Sequence, residues 1–231
     1  MRSLLHPAQQ EEQMDAPDLD PAIYAHVLTD LASVNRWTFA ARPTIGFIAR
    51  AVGDRKRFTL LDVGYGDGDM LRAIARWAEK RGIEAELTGV DLNPNSEQVA
   101  RAATPNALNI EYLTGDYLDQ VGRGFDLIIS SLVAHHMSHD QLLGFLRTME
   151  AWAQRGWLVN DLHRHRFAYL GFPLLATVMR WHRIVRQDGQ LSIARAFRPR
   201  EWLPVLAEAG LEHQARVVRR FPFRICVERL R

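Results

Sequence analysis

The chain has 231 residues, 47% of them hydrophobic and 24% charged, with a net charge of +2. These values suit one globular domain, or one with an appendage, and so near a balance of charge with no nucleic-acid-binding motif argues against a nucleic-acid partner. A single cysteine, Cys226, rules out an internal disulfide framework, suits a reducing cytoplasm, and reads as a small buried residue of a late strand.

Residues 1–20 are acidic and proline-bearing, lack the apolar core of a secretory leader, and read as a flexible arm. Residues 21–53 carry two amphipathic helical patterns, PAIYAHVLTDLASVNRW and PTIGFIARAV, which form a helical cap ahead of the first strand. From residue 54 onward short β-rich runs alternate with helical patterns. FTLLDVG, AELTGVD, NIEYLTGD, FDLIISSLVA and GWLVNDL are the strands; DMLRAIARWAEKRG, NPNSEQVARAAT and SHDQLLGFLRTMEAWAQ are the helices between them. This rhythm predicts an α/β fold with a doubly wound, mostly parallel sheet.

After Leu162 the rhythm breaks. Residues 163–197 read as a helical insert, aromatic and rich in arginine, with no strand pattern. A helix, REWLPVLAEAG, and two strands, LEHQARVVRRF and FRICVERL, then complete a seven-stranded sheet whose last pair is antiparallel. The longest apolar stretch, FAYLGFPLLATVM, is shorter than the ~20 residues that cross a bilayer, so it predicts a buried or interfacial helix. A basic helix of this kind leaves peripheral membrane contact open.

The first strand enters LLDVGYGDGDMLRAIA, a glycine turn that opens a helix and marks a nucleotide-type site at the carboxyl end of the sheet. It has no lysine for a phosphate loop. Gly64, Gly66 and Gly68 run G-x-G-x-G, where a dinucleotide site requires G-x-G-x-x-G, and Asp69 fills the third glycine position. Asp62, Asp67 and Asp69 would repel a pyrophosphate. An acidic turn suits a ligand bearing an ammonium and a sulfonium, whose carboxylate can take N–H groups at the helix start. S-adenosylmethionine is such a ligand.

Asp62 to Gly68 resembles the D/E-x-G-x-G-x-G signature of class I S-adenosylmethionine-dependent methyltransferases, and the resemblance extends over roughly residues 43–231. The resemblance implies that Asp62 meets the cofactor's ammonium and that Gly64, Gly66 and Gly68 form the turn beneath it. Asp91 would accept from both ribose hydroxyls, a task suited to two oxygens with no donor. Leu92 would pack on the adenine, Asp116 take its amino group, and Tyr117 lie beside the ring. Ser130 would lie under the methionine end. S-adenosylhomocysteine would be the product.

A phenol or enol acceptor profits from a base, because its ordinary pKa of about 10 leaves little anion at neutral pH. Two candidates follow strand ends: His136, paired with His135 as in quinone-biosynthesis methyltransferases, and His163 in NDLHRHRF. Asn160-Asp161 resembles part of the magnesium site of catechol methyltransferases, but Ser130-Ser131 stands where the acid after strand four belongs, so no metal is expected. Phe167, Tyr169, Phe172, Trp181 and Phe197, interleaved with Arg164, Arg166, Arg180, Arg183 and Arg186, could roof the cleft with Trp37 and Phe39. Each could equally be core aromatic or solvated arginine. SVNRWTFAARPT and VNDLHRHRFAYLGF resemble methyltransferases of polyketide-type secondary metabolism.

The sequence therefore predicts a cytoplasmic enzyme, monomer or homodimer, methylating a small aromatic or lipid-like acceptor on a hydroxyl oxygen. C-methylation of a quinone-like ring, a catalytically silent cofactor-binding scaffold and a dinucleotide-dependent oxidoreductase are the alternatives.

Overall fold

The computed structural model describes residues 4–16, 18–120 and 122–231. Two helices come first, α1 (Pro21–Trp37) and α2 (Ala41–Val52). The Asp20 side chain caps α1, accepting from the N–H groups of Ala22 and Ile23 at 2.8 and 3.1 Å. The alternating region follows as β1 (Arg57–Val63), α3 (Asp69–Glu79), β2 (Glu84–Asp91), α4 (Pro94–Ala103), β3 (Ile110–Thr114), β4 (Leu127–Ser131), α5 (His139–Trp152) and β5 (Gly156–Leu162). Local chemistry starts these helices where the sequence places them. Asn93 caps α4 ahead of Pro94, and Ser138 with Gln141 closes a capping box on α5.

The insert is a helical pair, α6 (Arg166–Val178) and α7 (Arg183–Arg195), followed by α8 (Pro199–Glu208), β6 (Arg216–Arg220) and β7 (Arg224–Leu230). The seven strands lie in the order β3-β2-β1-β4-β5-β7-β6. β7 runs antiparallel to both β5 and β6, and the rest of the sheet is parallel. Chain order reverses between β1 and β4, the switch point at which ligands bind in such sheets.

Strand periodicity assigns the two faces. Leu61, Val63, Trp157 and Val159 join Phe145, Leu146 and Trp202 on one side. Leu60 and Leu158 join Phe47, Ile48, Leu71 and Ile74 on the other. Cys226 is buried in the second layer, a small residue in a late strand. A third cluster, Val27, Ala176, Trp181, Ile184 and Val185, binds α1 to the insert.

The arm reads as loose in the sequence but is docked in the structure. Ala8 N–H donates to the Ala194 carbonyl at 3.0 Å, Met14 N–H to Asp188 at 2.9 Å, and Arg195 to the Gln10 carbonyl at 2.7 Å. These bonds lay residues 4–16 along α7, over the carboxyl edge of the sheet. No helix of the described residues is long and apolar enough to cross a membrane.

Candidate active site

A cavity of about 1160 Å³ opens above the β1–β4 switch point. Drug-sized ligands occupy pockets of roughly 300–1,000 Å³, so this one has room for a nucleoside and a second molecule. One end is acidic. Among the described residues eight carboxylates line the cavity (Glu12, Asp15, Asp62, Asp67, Asp69, Asp91, Asp116 and Asp188) against one guanidinium, Arg224. The other end is apolar, with Leu19 and Leu31 from the arm and α1, Phe167, Phe172 and Leu175 from α6, and Val185 from α7.

The glycine turn forms the acidic floor. Gly64, Gly66 and Gly68 have φ of 77°, 57° and 78°, a left-handed backbone in which a β-carbon is strained. A β-carbon on Gly64 would also lie 2.4 Å from Val133 Cγ2, so the β4 end presses directly on the turn. Asp91 ties the turn to β2: its Oδ2 accepts from Gly66 N–H and its Oδ1 from Asn93 N–H, both at 2.9 Å. Asp67 is neutralised by Arg72 at 2.8 Å.

Among the described residues Asp62, Asp69 and Asp91 form no ion pair, and only Asp69 feels the more distant charge of Arg72. Asp62 is buried, and its Oδ1 has no hydrogen-bond partner. Burial first, and then the charges of Asp69 and Asp91, push its pKa well above the usual carboxylate range. Burial and then Asp67 raise Asp69 to about 6, against the opposing hydrogen bond from Asn35. Burial likewise raises Asp91. Burial raises all three acids, and Asp69 and Asp91 raise Asp62 further, which makes a site that a cation relieves. The ammonium and sulfonium of S-adenosylmethionine fit it, and a pyrophosphate does not.

Gly68 turns toward Tyr112 and does not line the cavity. The other predicted cofactor residues lie around this floor, with one exception. Leu92 lines the cavity with 76% of its surface exposed, an apolar face beside the turn. Asp116 lines it too, one oxygen accepting from Leu118 N–H at 2.9 Å. Tyr117 lies beside it, edge-on to Phe145 at 5.2 Å. Ser130 is the exception: its hydroxyl turns into the sheet, donates to the Val63 carbonyl at 3.1 Å, and does not line the cavity. Strand alternation hands that position to Ser131, whose buried hydroxyl has no partner.

The histidines separate. His136 lines the cavity, its Nδ1 2.9 Å from Asp15. His163 is not brought there. Its N–H donates to the Phe223 carbonyl, its ring lies 5.2 Å from His165, and Leu162, Phe223 and Arg224 occupy the cavity wall instead. Burial first, then His165, Arg219, Arg198 and Arg164, hold its pKa down at about 4.

Sequence reasoning missed Glu12 and Arg224, and named His135 and Asp161 without the pairing that joins them. His135 is buried with Nδ1 2.7 Å from Asp161 Oδ1, while Asp161 Oδ2 accepts from the His135 N–H at 2.9 Å. Burial alone would lower the His135 pKa, but Asp161 and then Glu12 drive it up to about 10. Glu12, from the arm, is buried and accepts from the Ser192 hydroxyl at 2.8 Å. Arg224 is buried in the wall, its Nε without a partner.

Asn160 serves the fold, its amide donating to the Ala40 carbonyl and the Thr44 hydroxyl at 2.9 and 3.0 Å. The proposed aromatic roof divides as well. Trp37, Phe167 and Phe172 line the cavity, whereas Trp181 stacks under Phe172 and Phe197 packs on Trp202. Arg164 ion-pairs with Glu201 and does not reach the cavity.

This fold is shared with known proteins. Over 94% of its length the chain superimposes on 93% of the plantazolicin methyltransferase BpumL in complex with SAH, at a TM-score of 0.67 and 12% identity. Human N-acetylserotonin methyltransferase in complex with SAM gives a TM-score of 0.63 at 14% identity, covering 92% of this chain and 56% of that one. The fold is that of the class I methyltransferases. Residues 60–156 match the family model described as a methyltransferase domain. The release factor glutamine methyltransferase of Haemophilus influenzae is 37% identical over 79 residues, 32% of this chain, and the match spans only 27% of that relative. The matched segment runs from the glycine turn to the start of β5 and holds every predicted cofactor residue. A SAM-dependent methyltransferase from Aquifex aeolicus covers 92% of this chain at a TM-score of 0.60 and 17% identity. Together these matches show a methyltransferase fold with a methyltransferase-domain match over residues 60–156.

Proposed function

We propose that the chain transfers a methyl group from S-adenosylmethionine to a small hydrophobic acceptor, on a phenolic hydroxyl first and a ring carbon second. The observation that carries the reading is the buried, unpartnered Asp62 carboxylate at the glycine turn, opening on a cavity whose far end is apolar. Bound at the turn, S-adenosylmethionine supplies a methyl group activated by its positive sulfur.

The residues of the chain hold and align. Asp62 and Asp69 receive the cationic end, Gly64, Gly66 and Gly68 let backbone approach, and Asp91 takes the ribose hydroxyls with the lone pairs that Gly66 and Asn93 leave free. Leu92 and Tyr117 bracket the base, and Asp116 offers its second oxygen to the amino group. Residues 163–197 form a lid and residues 21–53 a cap; the apolar faces of α1, α6 and α7 hold the acceptor and keep water out. His136, backed by Asp15, faces this acceptor end and orients the receiving oxygen toward the turn. A cytoplasmic place of work is supported by the single cysteine. A plugged scaffold is disfavoured by the size of the cavity, and a dinucleotide oxidoreductase by its carboxylates.

Incubating the full chain with methyl-labelled S-adenosylmethionine and a panel of phenols and quinones tests this reading. Label is expected on at least one phenol. His136→Ala should lower turnover at least about 100-fold, the low end for a group positioned at a reacting atom, and His163→Ala should leave it unchanged. No labelled product from any phenol or quinone rules the proposal out. Wild-type turnover in His136→Ala would remove that residue from the mechanism.

A further inference from the structure

The cavity holds a second constellation, apart from the acidic turn. The His135 Nε2 lies 3.6 Å from Glu12 Oε1 and the His136 Nε2 3.8 Å from the same oxygen. These three atoms lie within 4.8 Å of one another. Neither contact is a hydrogen bond, and the His135 Nε2 is a buried nitrogen with no partner, on a side chain only 2% exposed. Ligands about 2.1 Å from a tetrahedral ion stand about 3.4 Å apart, so the observed spacings need only a small inward shift to close on one.

Both imidazoles are also held from behind, and the Glu12 oxygen that faces them is itself anchored by a hydroxyl. The His135 Nδ1 lies 2.7 Å from Asp161, the His136 Nδ1 2.9 Å from Asp15, and Glu12 takes the Ser192 hydroxyl at 2.8 Å. Both imidazoles therefore turn Nε2 toward one point, with a carboxylate on the opposite ring nitrogen. Carboxylate–imidazole pairs of this kind orient the ligands of metal sites. Three carboxylates converge here, and Arg195 beside them donates to two carbonyls, His135 at 3.2 Å and Gln10 at 2.7 Å. All three ligand residues line the cavity, so an ion held by them would face the acceptor.

We propose that Glu12, His135 and His136 bind one divalent transition-metal ion of the zinc and cobalt class, with its remaining positions open to the acceptor's oxygen. Two imidazoles and one carboxylate suit such an ion better than magnesium or calcium, which take oxygen ligands. The presence of the site is independent of the methyl-transfer reading; only its role toward the acceptor rests on that reading. Docking of the arm completes the site, because Glu12 comes from the arm and both histidines follow β4.

The test is a titration of cobalt(II) into the tag-free, chelator-treated full chain, followed by its visible d–d absorption. One equivalent should bind with the spectrum of a low-coordinate N/O site. Glu12→Gln and His136→Ala should each abolish that spectrum, and Asp15→Asn, behind His136, should weaken binding about tenfold. Thermal melting of each variant confirms folding. Affinity for S-adenosylhomocysteine should stay within about twofold of wild type in all three, since the turn is untouched. Absence of a cobalt spectrum in the wild type, or equal uptake by Glu12→Gln and His136→Ala, overturns the metal site. Cobalt binding without S-adenosylhomocysteine binding would leave the site standing and overturn the cofactor reading instead.

Discussion

Asp91→Ala is expected to weaken S-adenosylhomocysteine binding by at least about 100-fold while leaving the chain folded. Hydrogen bonds to a charged group contribute about 1.5–3 kcal/mol each, and Asp91 supports two inside the protein and the ribose pair outside it. Losing the ligand's share alone removes about 3 kcal/mol, which is two decades in the dissociation constant. Without the carboxylate, Gly66 N–H also loses the acceptor that fixes the turn. Folding suffers less, because burial raises the Asp91 pKa, so its charge is itself a cost to the native state. Asp91→Asn keeps one oxygen and should lose only about tenfold. The comparison is made by ligand titration alongside thermal melts. Affinity within threefold of wild type in Asp91→Ala would remove Asp91 from the site.

The second large effect is Gly64→Ala. At φ 77° a β-carbon is strained, and this one would stand 2.4 Å from Val133 Cγ2. Left-handed backbone costs an L-residue about 1–2 kcal/mol, and overpacking adds about 1–3. A combined loss of about 3 kcal/mol lowers the melting temperature of a chain this size by about 10 °C. Ligand binding should disappear with it, since the turn can relieve the clash only by moving. Gly64→Ala combined with Val133→Ala should recover part of the stability, because only the strain remains. Gly53→Ala is the control: its φ is 58° but its β-carbon meets nothing within 4 Å, so about 1 kcal/mol is lost and binding stays intact. Equal melting of Gly64→Ala and wild type would show that the turn does not need a bare backbone.

These two residues were legible in the sequence for a physical reason. A strand, a left-handed turn and a helix are local, and the residue types they demand stand side by side. Asp91 ends its own strand, so its place follows once the strand is read. The doubly wound sheet was legible in the same way, from alternation of period-two and helical patterns with capping residues between them. Ser130 and His163 failed at a finer level. Each lies one residue from a cavity-lining neighbour, and in extended chain one residue is the difference between two faces.

What the sequence hid is non-local. Glu12 reaches Ser192, and Asp15 reaches His136, across separations of 180 and 121 residues. The arm that carries them has no periodic pattern of its own. Its polar composition reads as loose chain because the partners it satisfies lie on the insert and behind β4. Arg224 enters the cavity wall only because β7 pairs antiparallel with β5, setting Arg224 opposite Leu162. Asn160-Asp161 resembles half of a hard-metal site that Ser130-Ser131 leaves incomplete; in the structure Asn160 is consumed by the cap, and Asp161 orients His135.

The claim on which the account depends is that the glycine turn receives a cation. Calorimetric titration of the wild-type chain with S-adenosylmethionine, at about pH 7.5 and about pH 5.5, tests it most directly. Asp69, held at about 6, takes up a proton between these two pH values, and a cationic ligand must displace it from a site where burial already disfavours the Asp62 charge. Binding should therefore be one-to-one, about fivefold weaker at the lower pH, and absent with NAD. No heat with S-adenosylmethionine, comparable binding of NAD, or affinity that increases on acidification would contradict the account.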